Sequence, residues 1–239
     1  MRPARPWSCS TAALRTDLPV GQPAEVGGRL SPRERLIDSV ASVVARLDEA
    51  NRAREVALPA CRRAIRAAGS SIRAVHRLDP ATAEAVADES EAALRTAQAV
   101  VVPHPPVAHA GLLHDAEKEY AEARAVAALV AGDPVPAPDE LGVAPTAWMR
   151  GLAEAASELR RHLLDRLREG QVERAESLLA AMDDVYGALV VVDYPDVLTG
   201  GLRRTLDALR AVLERSRGDV TTTVLQTRLQ RAIEAADRP

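Results

Sequence analysis

Ser31-Pro32-Arg33-Glu34-Arg35-Leu36-Ile37-Asp38-Ser39-Val40-Ala41-Ser42-Val43-Val44-Ala45-Arg46-Leu47 decides the fold class. Ser31 before Pro32 reads as an N-cap followed by proline at the first helical position. From there Leu36, Ile37, Val40, Val43, Val44 and Leu47 recur at helical spacing, and the pattern resumes at Leu58, Cys61, Ile65, Ala68, Ile72 and Val75. The spacing predicts one very long helix, or two in line with a kink at Pro59, closed by Asp79-Pro80.

The same reading extends downstream. A second helix is expected over about 80–100, before the rigid break Val102-Pro103-His104-Pro105-Pro106, and a third over about 108–131, ending at Gly132-Asp133-Pro134. Residues 132–146, with four prolines and two glycines, form the longest loop. A fourth helix is expected over about 146–169 with Gly170 as its C-cap signal, and a fifth over about 171–191. The glycine pair Gly200-Gly201 leads into a sixth over about 202–217, and Gly218-Asp219 starts a seventh that ends near 236. No stretch alternates with period two for the length of a strand. The expectation is therefore an all-α domain of about seven helices over residues 31–239. Residues 1–30, rich in Pro, Gly, Ser and Arg and without periodicity, are expected to be a disordered N-terminal arm.

Composition narrows the function. Of 239 residues, 47% are apolar but only Trp7, Trp148, Tyr120, Tyr186 and Tyr194 are aromatic, and Phe is absent. That excludes the exposed ring platforms of RRM and OB folds and disfavours β-sandwiches. Two unrelated cysteines, Cys9 and Cys61, suggest no disulfide framework and a reducing, cytoplasmic setting. Residues 1–30 lack the apolar core of a signal peptide. The longest apolar run, Val185 to Val192, is far short of the ~20 residues that span a bilayer, so no membrane is expected as a partner.

Charge is unevenly spread behind a net of −3. Residues 31–78 carry ten arginines and five acids, whereas residues 79–158 carry four basic and 14 acidic residues. Arg62, Arg66, Arg73 and Arg77 are spaced four, seven and four apart, on one helical face. Such a stripe is an electrostatic footprint for phosphates, or else a solvated face paired with acidic neighbours.

Four acids carry the chemistry. Glu119 and Glu122 (i, i+3) and Glu154 and Glu158 (i, i+4) each project as a pair from one helix. Glu119 and Glu122 continue toward Val126 and Leu129 along an apolar stripe. Glu154 and Glu158 border Leu152, Ala155, Leu159 and Leu163 among the small residues Gly151, Ala155 and Ala156. Carboxylates at core-facing positions must be paired, protonated or metal-bound. If the two helices are neighbours, the acids converge, and all-oxygen ligands suit Mg²⁺ or Mn²⁺ rather than zinc. The other reading is interhelical ion pairing with Arg124, Arg150 or Arg161. No Glu-x-x-His repeat of the ferritin kind, P-loop, G-x-S-x-G or G-x-G-x-x-G is present. His162 stands four residues after Glu158 as an accessory ligand or an ordinary interfacial histidine.

Asp115-Ala116-Glu117-Lys118-Glu119-Tyr120-Ala121-Glu122-Ala123 resembles the Q-E-Y-V-E-A segment of the translin family, in particular the translin-associated factor X branch and the archaeal members. Trp148-Met149-Arg150-Gly151-Leu152-Ala153-Glu154, continuing to Glu158-Leu159 and Arg161, resembles that family's Y-L-x-G-x-x-D-L-x-G-E-L-x-R segment. Arg54-Glu55, Ile72-Arg73-Ala74-Val75-His76-Arg77 and Gly201-Leu202-Arg203-Arg204, with Asp207 and Arg210, are similar to flanking signatures. The ordered set covers about residues 31–236.

The resemblance implies an elongated all-α bundle that assembles into homo-oligomers, hexamers or octamers. It implies binding of single-stranded RNA, with single-stranded DNA as a further partner. It also implies endoribonuclease activity with Mg²⁺ or Mn²⁺ held by Glu119, Glu122, Glu154 and Glu158. Glu154 departs from the family's aspartate. The family's non-catalytic branch suggests a nucleic-acid-binding shell as the alternative. An all-α nucleotide pyrophosphohydrolase of the MazG kind, with its E-x-x-E and E-x-x-D pattern, fits Glu119 and Glu122 but not the step from Glu154 to Glu158.

Overall fold

The structure is a computed structural model and describes residues 31–108 and 111–236. The expected N-terminal arm over 1–30, with Cys9, lies outside these residues. Nine helices and no strand make up the described residues: α1 (Pro32–His76), α2 (Pro80–Val101), α3 (Pro105–Ala108), α4 (Leu112–Ala131), α5 (Pro138–Leu141), α6 (Pro145–Arg168), α7 (Val172–Val190), α8 (Asp196–Thr199) and α9 (Leu202–Ala236). The chain divides into two compact units, Met1–Ala45 and Arg46–Pro239.

In the first unit, α1 opens on a reciprocal cap. The Ser31 amide donates to Glu34 Oε2 at 2.7 Å and the Glu34 amide donates to Ser31 Oγ at 3.2 Å. The apolar residues that identify this helix in the sequence, Leu36, Ile37, Val40, Val43 and Val44, are all exposed.

The second unit is built on small side chains. Ala57, Ala60, Cys61 and Ala64 of α1 pack with Leu94, Ala97 and Val101 of α2 and with Tyr120 and Ala121 of α4. Farther along, Ala68, Ile72 and Val75 join Ala123 and Val126 of α4, Leu152 and Ala156 of α6, and Leu202, Leu206 and Leu209 of α9. A third cluster joins Leu159 and Leu163 of α6 to Leu178 and Met182 of α7 and Leu213 and Val220 of α9. Alanine lets helix axes approach closely, which is how a chain without Phe fills its core.

One open alternative is settled and two expectations change. The long first helix is unbroken through Pro59, whose missing N–H removes one ladder bond without ending the helix. The sixth and seventh helices are one, because α9 passes through Gly218. Packing overrides the glycine there: Ser216 and Val220 are buried, and Arg160 of α6 donates to Ser216 Oγ at 3.0 Å and Asp219 Oδ2 at 2.7 Å. Finally, α3, α5 and α8 are single four-residue turns in segments expected to be irregular.

The pairing that matters is α4 on α6, which pack against each other along much of their length. Gly151 makes it possible. A Cβ there would stand 2.6 Å from the Lys118 carbonyl oxygen and 2.9 Å from the Glu122 amide nitrogen. Only a hydrogen at this position lets the α6 backbone lie against α4. At its far end α4 stops at Gly132, whose φ of 84° lies in the left-handed region and whose N–H donates to Ala128 O.

Candidate functional site

The helix pair brings the predicted acids together. Glu119 and Glu122 of α4 and Glu154 of α6 each offer a carboxylate oxygen, and all three oxygens lie within 4.8 Å of one another. Glu122 is the deep member, 7% exposed. Burial first, and then the negative charges of Glu119, Glu154 and Glu158, push its carboxyl up to about 8, against the pull of Lys118. Glu119 and Glu154 line the more open side, with side chains 28% and 31% exposed.

Glu158 does not join the three. Its Oε2 lies 3.0 Å from Nε2 of His76, at the end of α1. That hydrogen bond holds the Glu158 carboxyl below the usual range despite burial. His76 stacks on His162 of α6, with centroids 4.8 Å apart. Burial and the neighbouring His76 push His162 down to about 4, so the ring is neutral at physiological pH. His76 Nδ1 and His162 Nε2 are buried without a partner among the described residues. Three of the four acids thus form one cluster between α4 and α6, and Glu158 lies beside a histidine pair.

Ion pairing takes a form that sequence spacing did not suggest. Arg124 turns away to Glu84 at 3.0 Å and Asp88 at 3.9 Å. Arg150 does pair with Glu154, at 3.9 Å, whereas Arg161 has no ion pair within 4.0 Å among the described residues. The cation in the cluster is Lys118, the chain's single lysine. Its Nζ hydrogen-bonds Glu154, lies 2.8 Å from Glu119 Oε1 and 4.0 Å from Glu122 Oε2. Burial opposes its charge, but hydrogen bonds and attraction from Glu119 and Glu154 prevail, and its pKa is raised.

Lys118 and His76 are the site residues that sequence reasoning missed. The signal for Lys118 was present: one lysine among 31 basic residues, next to Glu119 and four before Glu122. His76 becomes visible only when α1 lies on α6. The neighbouring Glu117 has a structural task, accepting from Gln98 at 2.8 Å and from the Ala144 amide at 3.1 Å.

The arginine stripe is where the spacing placed it. Arg62, Arg66 and Arg73 are exposed on α1, and Arg77 is exposed in the turn that follows it. None has an acidic partner within 4.0 Å among the described residues. Arg73 donates to Ser70 Oγ at 2.8 Å. Arg63 and Arg66 line a shallow groove with Ser70, Glu89 and Thr96 between α1 and α2. None of the four contacts the carboxylates.

A protein helical throughout its described residues, with a carboxylate cluster shared by two helices, is the class defined so far. The chain superimposes on AfC3PO, solved with duplex RNA and also alone, at TM-scores of 0.72 and 0.71. Identity is 29% in both cases, over 79% of this chain and 97% and 98% of those chains. Apo-NeC3PO shares the fold, with TM-score 0.68 and 20% identity over 82% of this chain and 100% of that one. These are translin-family (C3PO) proteins, and the resemblance read from the sequence motifs extends to the fold over 79–82% of this chain. The uncharacterised protein MJ0175 of Methanocaldococcus jannaschii is 29% identical over 121 residues, 50% of this chain, and the match spans only 54% of that relative. No protein-family model matches the chain. No helix among the described residues is long and apolar enough to cross a membrane.

Proposed function

We propose that the protein binds RNA and hydrolyses single-stranded RNA in a reaction dependent on Mg²⁺ or Mn²⁺, acting as a homo-oligomer, a hexamer or octamer. The observation that carries this is the cluster of Glu119, Glu122 and Glu154, three oxygens within 4.8 Å around a buried carboxyl. The donor set fits a hard divalent cation: all ligands are oxygens, and burial, with the negative charges of Glu119, Glu154 and Glu158, pushes Glu122 toward protonation. Glu119, Glu122 and Glu154 would hold the ion, with Glu158 beside them. A divalent ion there supplies water activation and neutralises charge on the phosphoryl group.

The chain's own residues supply the rest. Glu158, held ionised by His76, keeps a second negative centre next to the first. Arg62, Arg66, Arg73 and Arg77 present exposed guanidinium groups for a phosphate backbone, which gives salt-dependent binding with little sequence preference. The AfC3PO complex with duplex RNA supports RNA as the ligand class, with single-stranded DNA as a further candidate. Exposed apolar side chains on the first turns of α1 (Leu36, Ile37, Val40) and on the end of α9 (Leu225, Leu229, Ile233) support association of copies.

The test is a cleavage assay on labelled single-stranded and duplex RNA, with Mn²⁺, Mg²⁺ or EDTA. Cleavage of the single strand that EDTA abolishes is expected. Glu122→Ala and Glu158→Ala should reduce it at least 100-fold while strand binding stays within about threefold. Wild-type cutting by both variants overturns the assignment. Lys118 inside the cluster favours one second reading, a nucleic-acid-binding protein without cleavage, for which every arm of the assay stays uncut while RNA is retained.

A further inference from the structure

We propose that Lys118 is an internal counter-ion that holds the carboxylate cluster together in the absence of a divalent ion and is displaced when one binds, so that it sets the affinity of the site. This rests on the metal reading of the cluster. Three observations lead to it. The ammonium reaches all three acids of the cluster, hydrogen-bonding Glu154 and lying 2.8 Å from Glu119 and 4.0 Å from Glu122. It therefore occupies the same oxygens that a divalent ion would take. A dication and an ammonium repel at such range, so binding is an exchange.

The residue type is the second observation. All other basic residues in the chain are arginines, 30 of them, and the only lysine stands here. An arginine would fork rigidly between two carboxylates, whereas lysine is a compact charge on a flexible four-carbon stem that can withdraw. Third, the cluster is open where withdrawal would occur. Glu119 and Glu154, the two closest partners of the ammonium, are 28% and 31% exposed, while Glu122 beneath them is 9% exposed by its side chain.

Being single, Lys118 gives a clean probe. Protein labelled with ¹³C/¹⁵N-lysine yields one side-chain signal, which is followed while Mg²⁺ is added. In parallel, Mn²⁺ binding is measured by electron paramagnetic resonance for wild type, Lys118→Met and Lys118→Gln, with melting curves in EDTA and in Mn²⁺. The Lys118 signal should move and saturate with Mg²⁺, and both variants should bind Mn²⁺ at least tenfold more tightly. In EDTA the variants should melt below wild type, and Mn²⁺ should return them to it or above. If one variant fails to fold without metal, the other and the lysine signal still decide. Equal Mn²⁺ affinity in all three proteins, with an unmoved lysine signal, overturns the displacement while leaving the metal site intact. No Mn²⁺ bound to any of them overturns both.

Discussion

Glu122→Gln separates the charge of the cluster from its shape. The folded protein holds the Glu122 proton far more tightly than the unfolded chain does, with the carboxyl moved from 4.5 to about 8. Below about pH 4.5 the group is protonated in both states and folding is unaffected. As pH rises the unfolded chain ionises freely while the folded one resists, so stability falls until the folded group also ionises near pH 8 and then levels off. At ~1.4 kcal/mol per pH unit the full displacement corresponds to about 5 kcal/mol. For a chain of this size that is on the order of 10 °C or more in Tm. Glutamine keeps the outline of the side chain and never ionises, so this loss should vanish. The assay is thermal unfolding by circular dichroism, from pH 5 to pH 9 in EDTA, on both proteins. Wild type and variant should lie close at pH 5 and diverge steadily, with the variant the more stable and the gap constant above about pH 8. Parallel profiles, or a variant that loses ground as pH rises, would refute the account of a buried carboxyl short of positive charge.

Gly151→Val should lower Tm sharply, by more than about 3 kcal/mol in unfolding free energy, because its Cβ would meet Lys118 O at 2.6 Å and the α4–α6 contact would have to open. Unchanged melting would mean that the close approach is not what joins the carboxylates. Gly218→Ala should stabilise the protein by about 1 kcal/mol, since the helix runs through this position and nothing lies within 4 Å of the added methyl. His162, pushed down to about 4 by burial, contributes stability that is present above about pH 6.5 and is lost as pH falls through 4. His162→Gln should therefore flatten the acid limb of the melting profile and leave the Glu122 limb unchanged. Arg66→Ala combined with Arg73→Ala should weaken RNA binding and lower the slope of log K against log salt by about 1–2, measured by fluorescence anisotropy. An unchanged slope would remove the stripe from the interface.

What the sequence made legible and what it hid divide along one physical line. A helical period fixes which residues share a face of one helix, so the stripe of α1 and the pairings Glu119 with Glu122 and Glu154 with Glu158 could be read directly. Proline and glycine mark ends only where tertiary packing does not overrule them. Asp79-Pro80 did end a helix, whereas Gly218 did not, because Arg160 ties Ser216 and Asp219 to α6 across more than fifty residues. The same limit explains why four predicted ligands became three plus one. Glu154 and Glu158 share a face, but four residues at 1.5 Å per residue set them about 6 Å apart along α6. The cluster whose oxygens lie within 4.8 Å holds Glu154, while Glu158 is turned to His76. Gly151, one turn before Glu154, presses that end of α6 onto Lys118 and Glu122 and so selects Glu154. Glu158, a turn farther on, meets His76, 82 residues away in sequence, a partner that no spacing within α6 could reveal. Lys118 belongs on the legible side of the line. At four residues before Glu122 and next to Glu119 it shares their surface of α4, so the sequence already placed a cation among the acids whose mutual repulsion called for one.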